Sequence, residues 1–244
     1  MPPANDPIIE EIIRRLEALE ENQRLQRDQS LYTPPQTSIL SLLHMDGANL
    51  STSFPDISGK IWTPSGNVKI STAQYKFGGA SALFDGTTDF LLGDGSSTFA
   101  FGTGPFTVEF WIRPASVAGF HILYDNRPTG INGFYPAIYT TGTSLRYFVN
   151  SADRITGATV LATSTWYHIL LARSGTNTKM FVNGVQEGAT YVDANSYLNG
   201  ANRPMIGADG NAGGGSGYNG NMDELRISDI ARQTTTFTPQ VGPY

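Results

Sequence analysis

A chain of 244 residues with 27 glycines, 14 prolines and 15% charged residues has the make-up of one sizeable turn-rich β domain plus an appendage, and excludes a helix bundle or a multidomain machine. The formal net charge of −5 leaves no positive field for a phosphate backbone, so nucleic acid is not an expected partner. With no cysteine, disulfides, thiolate zinc sites and thiol nucleophiles are excluded.

The first residues, Met1-Pro2-Pro3-Ala4-Asn5-Asp6-Pro7, carry neither a basic region nor an apolar run, so no signal peptide is expected. No later run is apolar and long enough to predict membrane insertion. Residues 1–30 then read as an N-terminal arm and helix: Asp6 suits the cap, Pro7 the first turn, and Glu10 and Glu11 the positive end of the dipole. Ile9, Ile12, Leu16 and Leu19 alternate spacings of three and four, the seam of a short α-helical coiled coil. Isoleucine at both a and d positions favours a homo-oligomer larger than a dimer, most simply a parallel trimer. A lone amphipathic helix docked on its own domain is the alternative. Residues 31–38, with Pro34-Pro35, read as an extended linker.

From residue 39 to 244 short alternating apolar segments are separated by Gly, Asn, Asp, Ser and Thr clusters, the pattern of a β-sandwich or barrel. In Phe106–Arg113, Phe106, Val108, Phe110 and Ile112 share a core face, with Thr107, Glu109, Trp111 and Arg113 opposite. Trp166–Arg173 is apolar enough for a strand covered on both sides. Lys179–Val182 and Val185–Glu187 flank Asn183-Gly184, a strong hairpin signal. A last strand is expected over Met222–Ser228.

The succession Phe77-Gly78-Gly79-Ala80-Ser81-Ala82-Leu83-Phe84-Asp85-Gly86, Phe106–Pro114, Trp166-Tyr167-His168-Ile169, Phe181-Val182-Asn183-Gly184, Ile206-Gly207 and Gly220–Ile227 resembles the laminin-G-like, concanavalin-A-like jelly-roll domains. The resemblance implies an all-β fold: an antiparallel two-sheet jelly-roll sandwich of about a dozen or more strands, preceded here by the helix. Such folds host lectins, adhesion modules, glycoside hydrolases and virion proteins, so the site needs its own argument.

Hydrolases of the fold carry two or three carboxylates on one strand face, because acid and nucleophile must flank one glycosidic bond. Here Glu109 stands alone on its strand, and regular alternation sends Asp223 and Glu224 to opposite faces, so no enzyme is expected. His44, His121 and His168 have no zinc-like spacing and read as structural. Asp223, in phase with Leu225 and Ile227, falls on the expected core face. Asp85 alternates with Leu83, and Asp46 with Leu40 and Leu42. Buried carboxylates need compensation, and the resemblance implies a structural Ca²⁺, with Asp46, Asp85 and Asp223 as candidate ligands. Turn capping by each Asp is the alternative.

Ligand contacts are expected from the loop Gly119–Pro136, where Tyr124, Asp125, Arg127, Asn132 and Tyr135 combine rings for stacking on sugars with groups for bonding hydroxyls. Packing of a long loop is the competing use of the same residues, as it is for Tyr191–Asn202. The whole plan, an oligomerising helix, a stiff spacer and a lectin-like module, looks like phage fibre, spike or capsid-decoration proteins. That resemblance implies a non-enzymatic virion surface protein, assembled in host cytoplasm, whose N-terminal arm docks on capsid or tail proteins and whose jelly roll binds host-surface glycan with avidity. A cement protein without a sugar ligand, a bacterial adhesin and a divergent glycoside hydrolase are the alternatives.

Overall fold

The computed structural model describes residues 15–17, 19, 20 and 38–244. Contacts divide the chain into residues 1–38 and 39–244. In the first unit the described residues are helical, and Leu16 and Leu19 are 54% and 57% exposed. They establish a helical stretch, not a coiled coil. Ile9 and Ile12, and the linker up to residue 37, lie outside the described residues. Among the described residues no helix is long and apolar enough to cross a membrane.

The second unit is a sandwich of two antiparallel sheets. One contains β1 (Ile39–Leu43), β3 (Lys69–Ser71), β4 (Ser81–Asp85), β6 (Phe106–Pro114), β11 (Tyr167–Ser174), β12 (Asn177–Val182), β13 (Val185–Val192) and β15 (Asn219–Ser228). Its order is β13-β12-β11-β6-β15-β4-β3, with β1 also paired to β15. The other contains β2 (Trp62–Ser65), β5 (Phe90–Gly93), β7 (Phe120–Asp125), β8 (Ala137–Thr141), β9 (Ser144–Val149), β10 (Ala152–Thr156) and β14 (Met205–Ile206), in the order β10-β9-β8-β7-β14-β5-β2. Neighbours far apart in sequence, such as β6 beside β15, are the jelly-roll crossings.

The inner faces interdigitate as the alternation requires. Val108, Phe110 and Ile112 of β6, Ile169 and Leu171 of β11 and Leu225 and Ile227 of β15 meet Leu123, Tyr124, Ile138, Leu145 and Tyr147 of the facing sheet. The Asn183-Gly184 turn joins β12 to β13 with φ of 50° and 79°, the left-handed pair that suits the strand twist.

The outer face of the first sheet departs from a simple solvated surface. Thr107, Glu109 and Trp111 of β6 and His168 and Leu170 of β11 are buried too, because residues 229–244 run across them as a strap. Phe237 packs on Leu170, Ala172 and Phe181, and its N–H bonds the Gly184 carbonyl at 3.0 Å. A Cβ at Gly184 would collide with the Phe237 carbonyl, so the turn and the strap need each other.

A bulge in β15 changes two expected orientations. The register shifts between Asp223 and Arg226, and Glu224 takes φ 52°. Met222, Leu225 and Ile227 therefore face the core, while Asp223 pairs with the outward Trp111. Asp223 is buried on the outer side, not on the core face, and Glu224 is buried beside it.

Candidate functional site

The strap and the loop at residues 76–80 border an open groove of about 450 Å³ on the outer face of the first sheet. Three aromatic residues line it: Phe77 from the loop, Trp111 from β6, and Trp166 from just before β11. Asn183 of the hairpin turn and Pro239, Gln240 and Val241 of the strap complete the wall.

Each part is held by identifiable bonds. Asp223 Oδ2 accepts the Lys76 and Phe77 N–H groups at 2.7 and 3.1 Å, and Asp46 Oδ1 accepts the Ala80 N–H at 3.2 Å. A Cβ at Gly78, whose φ is +64°, would overlap the Asp46 carboxylate. The two carboxylates thus anchor the glycine-rich loop, and the loop sets Phe77 edge-on to Trp111, with centroids 5.8 Å apart at 87°. The Lys76 ammonium lies 4.1 Å from the Trp111 ring centre. The indole N–H of Trp111 is buried without a partner. Asn183 Oδ1 accepts the His168 N–H at 2.8 Å.

Under the strap a polar network fixes the far wall. Glu109 Oε1 accepts the Arg226 Nε–H at 2.8 Å, Glu109 Oε2 accepts the Tyr244 hydroxyl at 3.0 Å, and His168 Nε2 is 2.9 Å from that hydroxyl. Arg226 stacks over the Tyr244 ring at 3.6 Å. Burial alone would push the Glu109 carboxyl up, but the His168 hydrogen bond and the Arg226 guanidinium outweigh it and hold the group below its ordinary value.

The expected metal ligands do not form one set. Asp85 is exposed and caps its own turn, accepting the Thr87 N–H at 2.9 Å and the Thr87 hydroxyl at 2.6 Å. Asp46, Asp223 and Glu224 share a corner behind the loop, with Glu224 bonded to His44 Nδ1 at 3.0 Å and to the Tyr244 N–H at 3.0 Å. Among the described residues no group of three or more His, Asp or Glu is placed to hold a metal ion.

Asp223 Oδ1 is buried without a partner. Burial pushes this carboxyl up to about 8, against the Lys76 and Phe77 N–H groups and with help from Glu224 and Asp46. A carboxyl whose folded value exceeds its unfolded one stabilises fully below the unfolded value of about 4, and this contribution is lost as pH rises through the folded value. In EDTA, the melting temperature is therefore expected to fall between about pH 4 and 8, and Asp223→Asn to make that fall shallower. Parallel wild-type and variant profiles would contradict the assignment.

The expected sugar-binding loop is largely interior. Tyr124 and Asp125 have no exposed surface and Arg127 is 7% exposed. Arg127 instead forks onto Asp125 at 2.7–3.1 Å and reaches Asp209 at 3.0 Å, while Asp125 Oδ2 accepts the Gly210 N–H. Asn132 is exposed and accepts from Arg127 at 3.2 Å, and Tyr135 is half-buried. In the second loop Tyr197 is buried against Asp193 and Tyr147. Both loops are built mainly for packing. Sequence reasoning missed Phe77, Trp111 and Trp166 as a group; the available signal was a tryptophan on the polar face of β6.

A family model for Laminin_G_3, the concanavalin A-like lectin/glucanases superfamily, matches residues 84–236. The chain belongs to that family. No curated protein matches it in sequence. Among solved structures it is similar to the binding domain of Paraclostridial Mosquitocidal Protein 1 (TM-score 0.64, 13% identity, 80% of this chain and 50% of that chain). It is also similar to the botulinum neurotoxin serotype D binding domain (0.59, 11%, 81% and 49%). A third is domain 4 of AbnA, a GH43 extracellular arabinanase from Geobacillus stearothermophilus, in complex with arabinotriose (0.54, 16%, 80% and 93%). The chain spans about half the length of the toxin binding-domain chains. At these identities the likeness is one of fold.

Proposed function

We propose that this Laminin_G_3 domain is a carbohydrate-binding module whose ligand sits in the cavity between the 76–80 loop and the strap. The observation that carries the reading is the lining of Phe77, Trp111 and Trp166 around about 450 Å³: apolar ring faces suit sugar C–H surfaces, while nearby polar groups suit hydroxyls. The AbnA domain in complex with arabinotriose lends the reading support by fold. The role is binding, not turnover, since no carboxylate lines the cavity and glycoside hydrolysis needs a flanking pair. On a glycan array, Trp166→Ala in the full chain is expected to weaken retention by about tenfold, the scale of one lost stacking contact, with an unchanged melting temperature. Equal retention by wild type and variant would overturn the site.

We further propose that the helix displays the module as a trimer on a virion surface, its arm docked on capsid or tail proteins and its glycan on the host. The Ile9, Ile12, Leu16 and Leu19 spacing supports this, and the sedimentation mass of the same preparation tests it. A monomer would remove the avidity. For calcium, the corner of Asp46 and Asp223 is the place we propose, supported by the unpartnered Asp223 Oδ1. Calcium should then raise the melting temperature relative to EDTA. No difference would leave Asp223 a protonated acid.

A further inference from the structure

Lys76 contributes the one charged side chain in the cavity wall. Its backbone N–H is fixed by Asp223, and its ammonium lies over Trp111 at 4.1 Å and near Phe77 at 5.5 Å. The ring contacts hold the cation in place without neutralising it. Among the described residues Lys76 makes no salt bridge. Its own loop carries no acid, and Asp46, Asp223 and Glu224 behind the loop are bonded to the N–H groups of residues 80, 76, 77 and 244.

A neighbouring polar group has the same sense. The Trp111 indole N–H is buried beneath the ring contacts and is not presented to a ligand. Asn183 has committed its oxygen to the His168 N–H, which leaves its NH₂. Two donors in one lining, one of them cationic, match a group that only accepts. A hydroxyl both donates and accepts, whereas a carboxylate or sulfate is acceptor-only and forms the stronger, charge-assisted bonds. Lys76 also covers a face of Trp111, which leaves the half-buried Trp166 as the ring free to stack.

We propose that the cavity selects acidic sugars, with the ring against Trp166 and the carboxylate or sulfate on the Lys76 ammonium and the Asn183 NH₂. This deepens the carbohydrate-binding reading and rests on it. The test is calorimetric titration of the full chain with matched pairs: oligosaccharides ending in glucuronate or glucose, and in sulfated or unsulfated galactose. Wild type, Lys76→Gln, Lys76→Arg and Trp166→Ala are compared. The acidic member of at least one pair is expected to bind about tenfold more tightly, less so at high salt. The pair that shows the preference names the acid as carboxylate or sulfate. Lys76→Gln should bring the acidic ligand down to the neutral one, and Lys76→Arg should keep the preference. Equal, Trp166-dependent binding of acidic and neutral members, or a preference that survives Lys76→Gln, overturns the acidic selectivity and spares the carbohydrate reading. Absence of any Trp166-dependent binding overturns both.

Discussion

Arg127→Ala is expected to lower the unfolding free energy by about 3–5 kcal/mol, the usual cost of removing one partner of a buried ion pair. Its guanidinium is 7% exposed and carries a fork to Asp125 and a third bond to Asp209, with the Phe148 ring 5.0 Å away. Burial already pushes the Asp125 carboxyl up. Without Arg127 that carboxyl loses its nearest counter-charge in a place water does not reach, and Arg203 is engaged elsewhere, on the Arg127 and Gly210 carbonyls at 2.7 and 2.5 Å. Arg127→Lys should recover only part of the loss, because an ammonium cannot reproduce the planar fork. Denaturant midpoints check this. A variant as stable as wild type but weaker in glycan binding would restore Arg127 to the role the sequence suggested.

Glu109→Gln is expected to cost about 3 kcal/mol at neutral pH, since it leaves the Arg226 guanidinium without its carboxylate. Glu109 is 3% exposed and receives Arg226, Tyr244 and, at 3.5 Å, His168. Its folded value lies below the unfolded one of about 4, so its contribution is present above that value and is lost as pH falls through the folded one. Wild type should therefore lose stability on acidification more steeply than Glu109→Gln, and the two should converge at low pH. The variant should also loosen the strap and with it the Pro239–Val241 wall of the cavity, so glycan binding and stability fall together. Denaturation at neutral and acid pH with equal offsets would contradict the network.

What the sequence made legible follows from which signals are local. β6, β11 and the Asn183-Gly184 hairpin carry a two-residue period or a turn that depends on a left-handed pair, and the structure has them where the pattern puts them. The strap was not legible, because residues 229–244 have no period and are held by partners such as Glu109, more than a hundred positions away. The bulge at Glu224 was invisible too, and it alone moves Asp223 from the expected core face to the outer one.

The candidate site was hard to read in the sequence for a related reason. Tyr124, Asp125 and Arg127 have the composition of a sugar site and of a buried ion-pair cluster alike, and the choice depends on Asp209 arriving from a distant loop. Asp46 and Asp223 were singled out as carboxylates in need of compensation. Their observed partners are backbone N–H groups of the loop that carries Lys76 and Phe77, so both carboxylates are supports of the cavity, a role that no local pattern announces.

The most direct test of the cavity is the set of indole N–H signals in a ¹⁵N-edited NMR titration with an oligosaccharide that the chain retains. There are three tryptophans. Trp111 and Trp166 line the cavity, whereas Trp62 is buried elsewhere and donates to Ser41 and Asp56 at 3.2 and 3.0 Å. Saturable shifts of the Trp111 and Trp166 signals with Trp62 unmoved are the predicted result. Binding that leaves Trp111 and Trp166 in place would contradict the account and move the ligand to another face of the sandwich.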